Sequence, residues 1–139
     1  MGLMPAPSIV RYAWALPATA VGLALALLAL SMGATIRAVD GVMEVAGGRL
    51  SRVASLSPFS ARIVAITFGH VIIGVDHGTL REVRSHEHVH VRQYERWGAA
   101  FFPLYAASSL VQLVRGRDPY LNNCFERAAY AQAAANDEA

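Results

Sequence analysis

The chain contains no lysine and a single cysteine, Cys124. One thiol excludes an intramolecular disulfide and any multi-cysteine zinc or iron–sulfur centre. Charge is scarce too: Asp, Glu, Lys and Arg make up 16% of 139 residues, against 55% hydrophobic residues and a mean hydropathy of +0.36. That is too apolar for a disordered tail and unusually apolar for a small soluble domain. All 12 basic residues are arginines, the net charge is +2, and no arginine run is dense enough for a nucleic-acid footprint. No nucleic-acid partner is therefore expected, and no internal repeat stands out.

The longest uncharged stretch runs from residue 13 to residue 36, bracketed by Arg11 and Arg37. Its length of about 24 residues exceeds the roughly 20 needed to span a bilayer. Tyr12 and Trp14 sit at one end, where aromatic residues favour the headgroup level, and Pro17 lies near the start. A retained membrane span is expected. The competing reading is a signal sequence cleaved near Ser31-Met32-Gly33-Ala34, although the apolar core is longer than a signal needs and no clean Ala-x-Ala follows it. Arg37, Arg49 and Arg52 after the span lean towards a cytoplasmic C-terminal part.

Residues 38–58 read as a turn-rich connector. A short hairpin around Asp40-Gly41 is plausible there, and Ser57-Pro58 ends the segment. Residues 62–75 are dense in β-branched side chains and predict one strand. Thr79 with Glu82 three positions on predicts a capping box, opening a helix from Leu80 to about Trp97 that Gly98 ends. Residues 99–114 are apolar but short for a span, which suggests a buried or membrane-grazing helix. Asp118-Pro119 predicts the start of a last helix over about 120–134.

The chemistry-bearing motif is His86-Glu87-His88-Val89-His90, which contains His-Glu-x-x-His. Residues four apart share a helix face, so His86 and His90 can point at one metal ion, and Glu87 can hold a metal-bound water as general base. Zinc suits neutral imidazoles and lowers the pKa of its water to about 7. Helical phase puts His86, His90, Gln93 and Trp97 on one side, with Val83 and Tyr94 beside them. Arg84, His88, Arg92 and Glu95 fall opposite, which makes His88 a solvated residue outside the site.

Two imidazoles leave the metal one protein ligand short. The candidates are Glu126, Asp118, His70, His77 and Cys124. Glu126 ranks first because its helix can pack against the motif helix. A start at Asp118-Pro119 places it two turns inside that helix; the rival reading pairs it with Asn123 as a capping box. Cys124, two residues away, points elsewhere and reads as a small buried hydrophobe.

His86-Glu87-x-x-His90 followed by a helical Glu126 resembles the gluzincin metallopeptidases, in particular the single-domain minigluzincins. The stretches HEHVHVRQYERW (86–97) and NNCFERAAY (122–130) resemble small bacterial membrane-anchored proteins with the same arrangement. The resemblance covers roughly residues 65–130. It implies an α+β zincin-like domain over residues 38–139, a short sheet with a motif helix and a Glu helix, behind a membrane anchor or signal over residues 1–37. It also implies zinc on His86, His90 and Glu126, Glu87 as the catalytic base, and a peptide or protein substrate laid along an edge strand at 63–73. No tyrosine among Tyr94, Tyr105, Tyr120 and Tyr130 securely matches the family's residue that stabilises the tetrahedral intermediate. The expected function is membrane-anchored, zinc-dependent peptide hydrolysis. The rivals are a non-catalytic module braced by zinc and a metal-handling protein that uses His70, His77, His86, His88 and His90 together.

Overall fold

The computed structural model describes residues 9–56 and 63–139. The expected break at Ser57-Pro58 and the expected strand start at Arg62 lie outside the described residues. The fold is α+β. An apolar helix α1 (Ile9–Ser31) leads into a hairpin of β1 (Thr35–Val39) and β2 (Val42–Ala46). A short helix α2 (Leu50–Ser55), strands β3 (Ala65–Phe68) and β4 (Val71–Gly74), and the long helix α3 (His77–Trp97) follow. A single 3-10 turn at Gly98–Ala100 then joins α4 (Phe101–Val114), and α5 (Cys124–Glu138) closes the chain.

The sheet is mixed, in the order β1-β2-β4-β3. β1 pairs antiparallel with β2, β2 runs parallel to β4, and β4 pairs antiparallel with β3. The Asp40-Gly41 hairpin forms as expected: both residues have positive φ (50° and 79°), which matches the right-handed twist of the strands. The single strand expected over 62–75 is instead two strands. Gly69, at φ 61°, turns the chain after Phe68, and the backbone N–H of His70 donates to Thr19 Oγ1 at 3.1 Å. The unbroken apolar run had a different cause. β4 is interior and covered on both faces, so it reads as continuous Val-Ile-Ile rather than alternating. Of these two strands only β3 lies at an edge of the sheet.

Side-chain alternation sorts the two faces. Met43, Val45, Val71 and Ile73 pack with Ala26, Ala29 and Ala34 on the α1 side. Val42, Ala46 and Ile72 pack with Leu80 and Val91 of α3 on the other. A Cβ on Gly74 would collide with Leu80, so this glycine lets α3 sit close to the sheet. On the same face Arg84 clamps the buried Glu44 carboxylate through two hydrogen bonds of 2.7 and 3.0 Å.

α1 buries small residues alone: Gly22, Ala26 and Ala29 lie on the opposite face of the sheet, and Ala15 and Ala18 pack on Tyr94 and Phe101, while Leu16, Leu27 and Leu28 point outward. By length and composition two helical stretches among the described residues could cross a membrane, Ile9–Ser31 and the apolar end of His77–Val114. Pro17 sits inside α1 rather than near its start, and the helix ends before residues 35–36, which belong to β1. A Cβ on Gly22 would lie 2.7 Å from Val71 Cβ and 2.9 Å from Phe68 O.

The helix starts differ from expectation in two places. α3 is capped by Asp76, whose carboxylate accepts from Thr79 N at 2.7 Å, so Thr79 lies in the first turn and not at the cap. α5 begins at Cys124 with Asn123 as its cap, because Asp118 spends Oδ1 on a separate turn, accepting from Tyr120 N and Leu121 N. Asn123 is fully buried and does more than cap: its amide donates to Tyr105 O and Ser109 Oγ of α4.

Two outcomes test this packing. Gly22→Leu should destabilise the protein by about 1–3 kcal/mol in a thermal melt, as overpacking does, whereas the outward Leu27→Ala should change little. The Arg84 hydrogen bond holds the Glu44 carboxyl below its ordinary 4.5 despite burial. A lowered folded-state pKa gives stability that is full above the unfolded value and is lost as pH falls through the folded one. Stability should therefore drop below about pH 4, and Glu44→Gln, weaker at neutral pH, should show a shallower drop on acidification.

Candidate metal centre

His86 and His90 stand one turn apart on α3 and face α5. Glu126, in the first turn of α5 and nearly fully buried, turns its carboxylate back towards them. Glu126 Oε2 lies 3.0 Å from His86 Nε2 and 3.3 Å from His90 Nε2, and the two imidazole nitrogens are 3.1 Å apart. Glu126 is thus in the first turn and not two turns inside. It has capping-box spacing from Asn123, yet Asn123 N bonds Tyr120 O and the Glu126 carboxylate serves the histidines.

The surroundings orient each group. Gln93 donates its amide to Phe125 O at 3.0 Å, which turns its Oε1 towards His90 Nδ1 at 2.8 Å. That nitrogen must therefore carry a proton, and a neutral His90 keeps its Nε2 lone pair directed at the cluster. The Tyr105 hydroxyl donates to Glu126 Oε1 at 2.6 Å, leaving Oε2 for the histidines. Burial pushes the Glu126 carboxyl up, but hydrogen bonds with His86, His90 and Tyr105 outweigh it and hold the group down to about 2. Burial pushes His90 down, and its contact with Glu126 more than offsets this and raises it.

These atoms fit a metal ion. Two nitrogens and an oxygen converge so that each meets the other two, and protons cannot satisfy all three contacts at once, whereas one cation can. Bonds of about 2.0–2.1 Å at tetrahedral angles place ligand atoms about 3.3 Å apart, close to the spacing seen. The ligand atoms of His86, His90 and Glu126 all lie within 4.8 Å of one another, and no other group of three or more such side chains occurs among the described residues.

Glu87 is buried beside this group, and its Oε2 accepts from the Thr67 hydroxyl of β3 at 2.6 Å. The cleft in front of it has a volume of about 310 Å³. Its walls are mostly apolar, with Ile66 and Phe68 from β3 and Phe101, Phe102 and Tyr105 from the α4 side. Tyr94 and Tyr120 also line it, while Tyr130 packs on the His86 ring at 4.4 Å.

The remaining candidates fall elsewhere. His70 sits in the β3–β4 turn, stacked on Tyr12 at 4.0 Å, with Nε2 2.9 Å from Glu95. His77 Nε2 meets Thr35 Oγ1 at 2.7 Å. Asp118 belongs to its own turn, and Cys124 is exposed beside Ser108 rather than buried. His88 lies on the opposite face with Arg84 and Arg92, as phase demands, but is half-buried rather than solvated, and burial pushes its pKa down. Glu95, also placed opposite the metal pair by phase, bridges His70 and Arg11. Trp97 does not reach the cleft; its ring lies under the Arg96 guanidinium.

Thr67 was missed as a site residue, and Tyr105 was considered only among the phenols for the tetrahedral intermediate, not as the partner of Glu126. A lone threonine in an apolar strand was the available signal for the first, and nothing local marked the second. No family profile, curated protein or solved structure matches this chain.

The orienting contacts have a measurable consequence. Gln93→Leu and Tyr105→Phe should each weaken zinc binding by about 10–100-fold in a chelator competition, as loss of a ligand's hydrogen-bond partner does. His88→Ala should leave the affinity unchanged.

Proposed function

We propose that the protein is a membrane-attached, zinc-dependent peptidase of the gluzincin kind, with a zincin-like domain built on β3, α3 and α5. The observation that carries this reading is the convergence of His86, His90 and Glu126 with Glu87 beside them, all lining one cleft under an edge strand. His86 Nε2, His90 Nε2 and Glu126 Oε2 would hold the metal. Zinc is the choice because two imidazoles and a carboxylate with an open position are its usual catalytic set. When bound, it supplies Lewis acidity, polarising a carbonyl and lowering the pKa of water to near 7.

The chain's own residues do the rest. Thr67 occupies Glu87 Oε2, which leaves Oε1 to accept a proton from the attacking water. As the water oxygen bonds to the scissile carbonyl carbon, Glu87 takes that proton, and it passes it to the amide nitrogen as the carbon–nitrogen bond breaks. Substrate backbone would pair with the outer edge of β3, which recognises an extended peptide without reading its sequence. Among the cleft phenols, Tyr105 is engaged by Glu126 and Tyr94 is packed between Phe101 and Phe102. Tyr120, whose hydroxyl shares only a 3.4 Å contact with Tyr130, is the donor assigned to the developing oxyanion.

A second reading is a metal brace without catalysis, favoured by Glu126 joining α5 to α3. One set of variants separates them. Glu87→Gln should retain about one zinc per chain and lose peptide hydrolysis. Glu126→Ala should lose metal and activity together, and Tyr120→Phe should lower kcat with zinc content intact. Full zinc content in Glu126→Ala would end the gluzincin reading. A wild-type chain loaded with zinc but inert towards a broad peptide library would leave the brace.

A further inference from the structure

The way α1 is used in the fold bears on how the protein meets a membrane, independently of the chemistry at the metal centre. A helix that crosses a bilayer is bounded by hydrocarbon or by other helices. α1 is bounded along one side, from Thr19 to Ala29, by the β-sheet and its β3–β4 turn, which it approaches closely at Gly22, while Ala15 and Ala18 pack on Tyr94 and Phe101. If α1 stood upright in the bilayer, the sheet would stand beside it at the same depth. The outer edges of β1 and β3 would then present unpaired backbone groups to hydrocarbon, where open sheet edges do not occur. β1 also carries Arg37 among exposed positions.

The outward faces tell a consistent story. On α1, Leu16, Leu27 and Leu28 are 56%, 69% and 59% exposed. On α4, Leu110, Leu113 and Val114 are 60%, 60% and 80% exposed, and no charged residue falls between Gly98 and Val114. Arg96 and Trp97 precede this stretch, and Arg115 and Arg117 follow it. Trp14 packs over Gly98, next to Trp97, and the Arg96 guanidinium sits 5.3 Å from the Trp97 ring centre. Exposed tryptophans with arginines are the side chains that settle at the headgroup level. Interfacial helices carry a polar side opposite the apolar one. α1 has no charged side of its own, its exposed apolar arc also taking in Val21, Leu23, Leu25 and Leu30, and the protein packed on its alanine stripe takes that place.

We propose that the protein is monotopic: α1 lies along one membrane leaflet with α4, its leucine face in the acyl boundary and its alanine face on the sheet, and does not cross the bilayer. The occupant of the exposed apolar surface is lipid.

The test uses the full chain in bacterial membranes, on a Cys124→Ser background, with Val10→Cys and Arg37→Cys marking the two ends of α1. A membrane-impermeant maleimide is applied to spheroplasts before and after lysis. Both ends should behave alike, either both reactive before lysis or both only after it. In parallel, fluorophores on Leu27→Cys and Leu113→Cys should be quenched by brominated acyl chains in reconstituted vesicles. Opposite behaviour of the two ends would show that α1 crosses the bilayer and overturn the proposal. Like behaviour without quenching at either site would also overturn it, since another protein or a second copy would then cover this face. Recovery of the full chain in the soluble fraction would overturn it as well.

Discussion

A single carboxylate oxygen, Glu126 Oε2, meets two imidazoles at 3.0 and 3.3 Å, and the arrangement of the helices follows from bringing it there. α3 is set by the sheet: Leu80 sits over the space left by Gly74, and Arg84 reaches back to Glu44. α5 is set by Asn123, which starts the helix and ties it to α4 through Tyr105 O and Ser109 Oγ. α4 in turn supplies the Tyr105 hydroxyl that steers the carboxylate. Three charged or polar groups buried at such range are costly unless something compensates them. A metal ion would compensate all of them at once.

The motif helix was readable because its information is local. Apolar and polar positions on α3 follow a helical period, so the facing of His86 and His90 and the separation of His88 followed from phase alone. The Asp40-Gly41 turn was readable for the same reason, since the dipeptide itself supplies the positive φ. What escaped was decided at a distance. The β3–β4 turn hid in an apolar run because Gly69-His70 is an unmarked turn pair and β4 is covered on both sides. Asp118-Pro119 looks like a better helix start than Asn123, but Asn123 is buried and satisfied by α4, contacts that local sequence does not reveal. Glu126 ranked first because its helix could pack against the motif helix, and α5 does pack on α3; the expected position two turns inside was wrong, since it lies in the first turn of α5.

The role of α1 was the least legible part. Composition distinguishes an apolar helix from a polar one, but an anchor, a signal and a structural layer share that composition. The stripe Ala15, Ala18, Gly22, Ala26, Ala29 is what marks α1 as a packing partner, since small residues at a helical period let a backbone approach a sheet closely. His70 reinforces the contact, stacked on Tyr12 and bonded through its backbone to Thr19. Strand β3, which lines the cleft, and its neighbour β4 are therefore supported from behind by α1.

The central claim is that two imidazole nitrogens and one carboxylate oxygen form a zinc site. X-ray absorption at the zinc edge, on full-length protein purified without chelator, tests it most directly. The account predicts about one zinc per chain, two imidazole ligands and oxygen at about 2.0–2.1 Å, and no sulfur. A zinc–sulfur shell near 2.3 Å, which would implicate Cys124, or the absence of stoichiometric metal would contradict it.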